Sequence, residues 1–308
     1  MSTSDRRRGA RPNQMQDIPR PDLGPLPLPE VLDSHTHLWK RTIIPQPWID
    51  LETMSAIDRD FWVGDLQHLQ ERRGIRGSLV VQSANSLVET SELLAAADGS
   101  VIRGVIGWVD LEDNVSAQLE SLRRGRGGHL LVGIRHLVHQ DPDPHWLCRD
   151  TVATGLDQLS AAGLPFDLVV RADQLADTVQ VASSHPHVTF VLDHLGRPPI
   201  TSNELGRWAK SLESLANLPN VVAKVSGLTV EAAPGRWSTE DLRPIVELAL
   251  KLFGTGRLMF GSDWPVVELA GGIDNWIAVV RALVPDPDHA LFFAGNAVST
   301  YGLGRGDA

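Results

Sequence analysis

From Val31 onward the chain repeats one pattern eight times: a short run rich in β-branched and other apolar residues, then a stretch whose apolar residues recur at helical spacing. The apolar runs fall at 31–33, 78–82, 101–109, 130–135, 165–171, 188–193, 221–225 and 258–261. Between them, Leu66, Leu69 and Gln70 line one helical face, as do Leu242, Ile245, Val246, Leu248 and Ala249. Strands separated by helices pair in parallel, and eight such units favour a closed (β/α)₈ TIM barrel. An open doubly wound sheet would carry a phosphate-binding glycine loop after an early strand; Gly125, Gly127 and Gly128 follow a helical stretch instead and lack that fingerprint. The reading is therefore one α/β barrel domain over 31–308, preceded by a polar, proline-rich tail over 1–30.

Bulk properties narrow the partners. Of 308 residues, 42% are hydrophobic and 21% charged, an ordinary globular balance. A formal net charge of -10 repels nucleic acid and anionic membranes, which leaves a small molecule as the expected partner. Cys148 is the only cysteine, so no intramolecular disulfide can form, which suits a reducing cytoplasm. Arg6, Arg7 and Arg8 are followed by no apolar run, so neither a signal peptide nor an anchor is legible. Two long connections, 39–61 with Pro45, Pro47 and Trp48, and 227–239 with Pro234 and Trp237, follow strand ends and are candidate lids.

Ionisable residues gather where strands end. In Asp33-Ser34-His35-Thr36-His37, two imidazoles spaced by two project to the same side of an extended chain. They supply half of a zinc-type site, and a ligand from another strand would complete it. Val191-Leu192-Asp193-His194-Leu195-Gly196-Arg197-Pro198 passes abruptly from apolar to ionisable, a costly change unless the groups are paired or bind something. Asp193 as a helix cap beside a core His194 is the structural alternative. Phe260-Gly261-Ser262-Asp263-Trp264-Pro265 places a carboxylate just past the eighth strand, where it can bind a metal or take a proton from water; capping the next helix is its alternative.

Cations form a second group: Arg135 with His136 closes the fourth strand, Arg171 the fifth, and Lys224 interrupts Val221-Val222-Ala223-Lys224-Val225. They would hold substrate oxygens or a carboxylate, or else compensate buried Asp167 or Asp193. Trp48 and Trp264, with Trp39, lie by strand-end loops and suit a sugar face, whereas Trp208 and Trp276 read as helix packing. His139, His145, His185, His187 and His289 read as solvated. Neither a G-x-S-x-G elbow nor H-E-x-x-H is present.

Together the three histidine and aspartate motifs, with Gly133-Ile134-Arg135-His136 and Ala294-Gly295-Asn296-Ala297, resemble the amidohydrolase superfamily, and within it the lactonase branch of sugar lactonases and 2-pyrone-4,6-dicarboxylate lactonases. The likeness runs from Val31 to the end. It implies that His35 and His37 are the first-strand pair, His194 the sixth-strand histidine and Asp263 the eighth-strand aspartate. It also implies one divalent ion, zinc by its nitrogen and oxygen ligands, held by His35, His37, Asp263 and His194, or no ion with protein cations in its place. Metal-binding members put a histidine at the end of the fifth strand, where this chain has Phe166-Asp167-Leu168-Val169-Val170-Arg171, which argues against two metals. The expected activity is opening of a sugar-derived or carboxylated lactone by water that Asp263 activates; a metal-dependent decarboxylase and a catalytically silent barrel are the competing readings.

Overall fold

The computed structural model describes residues 31–202, 204–232 and 237–304. The 1–30 tail, and Pro234 of the second candidate lid, lie outside the described residues. Eight parallel strands run in sequence order, β1 Val31–Thr36, β2 Ile75–Val81, β3 Ile102–Gly107, β4 Leu131–His136, β5 Phe166–Leu168, β6 Phe190–Leu192, β7 Val221–Val225 and β8 Leu258–Phe260. Closure is made just beyond β8, where Asp263 N–H donates to the His35 carbonyl at 2.8 Å and His37 N–H to that of Trp264 at 2.7 Å. The seam that shuts the TIM barrel is thus built from the residues that carry the candidate chemistry.

Between the strands lie the helices α1 Val63–Arg73, α2 Leu87–Ala97, α3 Val115–Arg124, α4 Asp150–Ala161, α5 Leu175–Ser184, α6 Leu205–Ala216, the short α7 Leu228–Glu231 and α8 Thr239–Phe253, and α9 Gly272–Leu283 and α10 Asn296–Thr300 follow β8. Local sequence sets their ends. Ser86 and Asn114 accept the Glu89 and Ala117 amides as N-caps, and Gly74 ends α1 at φ 64°, a conformation that costs glycine little. In α6, Trp208, Leu212 and Leu215 recur on one face and pack inward.

Most of the core lies between strands and helices. A smaller apolar cluster, Leu32, Leu79, Val81, Ile106, Val191 and Met259 with Ala297 and Tyr301, fills the barrel. α10 is tied on by Asn296, whose side-chain amide donates to the Thr255 and Leu258 carbonyls, both at 2.6 Å. No helix among the described residues is long and apolar enough to cross a membrane.

Candidate active site

β1 delivers two imidazoles to the carboxyl end of the barrel, where enzymes of this architecture keep their chemistry. A register irregularity between Asp33 and Thr36 bends the strand there, and Gly261 permits the approach, since a Cβ on it would lie 2.7 Å from that of His35. His37 Nδ1 is 2.9 Å from the Val81 carbonyl. A carbonyl only accepts, so Nδ1 carries the proton and Nε2 is left as a lone pair. His35 Nδ1 faces Asp193 Oδ1 at 3.3 Å, which likewise directs its Nε2 inward. The two Nε2 atoms are 3.2 Å apart, and Asp263 Oδ1 lies 3.3 Å from that of His37 and 3.8 Å from that of His35.

β6 delivers His194 on an unusual backbone. His194, Leu195, Gly196 and Arg197 all have left-handed φ, at 53°, 52°, 71° and 52°. For the three residues with a Cβ this costs roughly 1–2 kcal/mol each, so the surroundings must hold the turn. Trp208 does so from α6, donating its indole N–H to the Leu195 carbonyl at 2.8 Å. Trp276 on α9 does the same for the Gly261 carbonyl at 2.8 Å, beside Asp263, which is itself at φ 61°. These two tryptophans pack helices, as expected, and also pin the two loops that present His194 and Asp263. The His194 ring meets the Ser226 hydroxyl at 2.9 Å and stacks obliquely on His35, centroids 4.6 Å apart.

Beneath the imidazoles lies a buried ionic network. Lys224 Nζ is 2.5 Å from Asp167 Oδ2, 3.2 Å from Asp193 Oδ1 and 3.2 Å from His35 Nδ1. Arg135 donates to Asp193 Oδ2 at 3.0 Å and to the Gln82 carbonyl, and the Tyr301 hydroxyl is 2.9 Å from Asp167. Asp193 therefore faces the barrel interior and caps no helix. Burial drives the Asp167 carboxyl up to about 6 despite Lys224. Burial works against Asp193 as well, yet Lys224, His35 and Arg135 hold it well below the carboxylate range.

The mouth opens as a cleft of about 290 Å³, lined among others by His37, Trp48, Arg135, His194, Arg197 and Asp263. A second depression of about 430 Å³, around Arg41, Pro45 and Asp60, holds none of the imidazoles. Trp48, from the 39–61 loop, is placed by Gln46, which accepts its indole N–H at 2.7 Å and passes the bond on to Ser83 at 2.9 Å. Glu89 then anchors Ser83, accepting its hydroxyl at 2.5 Å and its amide at 2.9 Å.

Four residues expected at the cleft are employed elsewhere. Lys224 is fully buried among carboxylates, which is the charge-compensation alternative. His136 is stacked on Trp146 at 3.7 Å, accepts the Trp108 indole N–H at 3.1 Å and reaches Asp141 at 3.2 Å, so its ring is committed to structure. Arg171 lies beyond β5, which ends at Leu168; the Val169 carbonyl takes the His139 amide, and the guanidinium turns out to Asp173 and the His139 carbonyl. Trp264 is buried edge-on against Phe61, so no sugar face can reach it.

His139 differs in the other direction. Expected in solvent, it lines the cleft. Gln140 donates to its Nε2 at 3.2 Å, so the ring proton is on Nδ1, which is buried without a partner. Burial, then Arg197 and Arg135, push it down to about 3, so the ring is neutral. Its strand-to-loop position after β4 was the available signal.

The Amidohydrolase family model matches residues 32–303. The chain belongs to the amidohydrolase family. It is 34% identical over 284 residues to an L-fucono-1,5-lactonase of Burkholderia ambifaria, covering 89% of this chain and 96% of that one. An L-fucono-1,5-lactonase of Burkholderia multivorans is 33% identical over 287 residues, covering 88% and 96%. Among solved structures, an amidohydrolase from Burkholderia multivorans with bound zinc superposes with a TM-score of 0.83 at 33% identity, over 89% of this chain and all (100%) of that one.

Whether this amidohydrolase suits a metal follows from its donors. Two imidazole lone pairs and a carboxylate oxygen converge within 4.8 Å of one another, all buried. Such an arrangement is repulsive unless a cation sits among them, and its nitrogen and oxygen atoms are those zinc prefers. The residues fit a divalent ion. Burial alone would raise the Asp263 carboxyl, but His194, then His37 and His35, hold it far below its ordinary range, so it is ionised.

Proposed function

We propose that this amidohydrolase hydrolyses a sugar-derived lactone at the His35, His37, His194 and Asp263 centre. The observation that carries the reading is convergence: three imidazoles and one ionised carboxylate at the ends of β1, β6 and β8 come together, His37, His194 and Asp263 lining one cleft and His35 buried behind them. The relatives whose names state an activity at about a third identity are lactonases.

His35, His37 and Asp263 would hold a divalent ion, with His194 beside them. When bound, such an ion polarises a carbonyl and acidifies water. The chain's residues do the rest. Asp263 is ionised and takes a proton from the attacking water as the bond to the lactone carbonyl forms. His194, set by Ser226 and the strained turn, faces the same space and steadies charge growing on the carbonyl oxygen. The ring oxygen then leaves, taking the proton that Asp263 had accepted, and the product is a hydroxy acid. Arg135, lining the cleft yet paired with Asp193, fixes the electrostatic floor. Trp48, with Met54, Val266 and Leu269, offers an apolar wall on which a sugar ring can lie.

The test is acid release from a panel of 1,4- and 1,5-aldonolactones, followed with a pH indicator, before and after chelation and after returning zinc. The reading predicts turnover of at least one lactone that chelation abolishes and zinc restores. Absence of turnover across the panel with zinc-loaded protein overturns it.

A further inference from the structure

A lactone ending in a carboxylate and one ending in CH₂OH place the same ring in the same cleft, so the charges lining that cleft decide between them. Among the described residues two guanidinium groups line it, Arg135 and Arg197, and each already has a carboxylate. Arg135 holds Asp193 at 3.0 Å, and Arg197 Nε donates to Glu231 Oε1 at 2.6 Å. Lys224 and Arg171 are engaged by Asp167 and Asp173. Asp263 belongs to the centre with His35 and His37, where its charge would be spent on a bound ion. Among the described residues no Arg or Lys side chain of the cleft is left over for a substrate carboxylate.

The two pairs differ in depth. Arg135 and Asp193 are 3% and 0% exposed and bound into the network under His35, whereas Arg197 and Glu231 are 33% and 24% exposed at the rim. Arg197 is placed by the left-handed turn that also carries His194, and Glu231 ends α7 in the neighbouring loop.

We propose that Glu231 is a specificity-determining residue, which neutralises Arg197 at the rim and so confines the cleft to uncharged lactones. The proposal rests on the lactone-hydrolase reading above. With Glu231 gone, Arg197 is a free guanidinium within the cleft, able to take a carboxylate in the geometry it now uses for Glu231.

The experiment compares kcat/KM for an aldonolactone and for the aldarolactone of the same configuration, which carries a carboxylate in place of the terminal CH₂OH. Wild-type protein is expected to favour the neutral lactone. In Glu231→Gln the neutral-to-anionic ratio falls by about tenfold, the worth of a partly exposed charge-assisted bond. In Arg197→Met, where Glu231 is left as an unpaired negative charge, the ratio rises. A folded Glu231→Gln protein with an unchanged ratio overturns the proposal; if that variant does not fold, an unchanged ratio in Arg197→Met overturns it equally. A wild type that opens both lactones equally well overturns this inference alone, while one that opens neither removes the function reading along with it.

Discussion

Lys224→Met removes an ammonium group with no solvent exposure from between Asp167, Asp193 and His35. Methionine is unbranched and adaptable, so little packing is lost and the electrostatic effect dominates. Arg135 still serves Asp193, whereas Asp167 keeps only the Tyr301 hydroxyl. Stranding one partner of a buried pair costs about 3–5 kcal/mol. The cost depends on pH because Asp167 is already raised to about 6 by burial, with Lys224 opposing the rise. Without Lys224 it climbs further. A carboxyl raised in the folded state makes that state bind more protons than the unfolded chain, so stability falls as pH rises through the shifted range. The stability gap between wild type and variant is therefore widest near about pH 8 and narrows toward about pH 5. Urea unfolding at the two pH values measures it, and adding Asp167→Asn to the variant recovers most of the loss at the higher pH. A gap below about 1 kcal/mol at the higher pH, or one that does not change with pH, refutes the reasoning, since a stranded buried charge must show both effects.

Two further outcomes follow from the same geometry. In Gly227→Ala the new Cβ would stand 2.5 Å from His194 Nδ1 at a residue with φ 65°, so the ring must leave Ser226; lactone kcat/KM falls at least about tenfold, and unchanged turnover would show that the His194 position does not matter. Asp33 is raised to about 6, by burial above all, while its Oδ1 accepts the His35 and Ser262 amides. Its carboxyl therefore weakens the fold above that pH and not below about 4, by the same linkage. Asp33→Asn keeps the accepting oxygen and is expected to raise stability near about pH 8 by up to about 3 kcal/mol, an advantage that disappears in acid; urea titrations showing a loss at the higher pH would contradict it.

The barrel was legible because βα alternation is a periodic signal, and the gathering of His35, His37, His194 and Asp263 because a change from apolar to ionisable at a strand end has few other uses. The roles of the cations were not legible. Arg135 on β4 and Lys224 on β7 both face the barrel interior, and only the fold shows that Asp193 and Asp167 reach them first. Arg171 was misplaced by three residues of strand, since 165–171 reads as continuously extended while β5 ends at Leu168. His139 was hidden for the opposite reason: a histidine in a polar loop carries no periodicity, and its burial comes from loops packing over it. Glu231 and Trp208 are in the same position, their roles set by contacts with residues 34 and 13 positions away.

The central claim is that Asp263, ionised among three imidazoles, takes the proton from the attacking water. Asp263→Asn removes that acceptor while keeping the shape of the side chain. Measured on the best aldonolactone at neutral pH with zinc supplied, kcat is predicted to fall by about 10²–10⁴ with the melting temperature retained. Turnover equal to wild type in a folded, zinc-loaded variant would contradict the account.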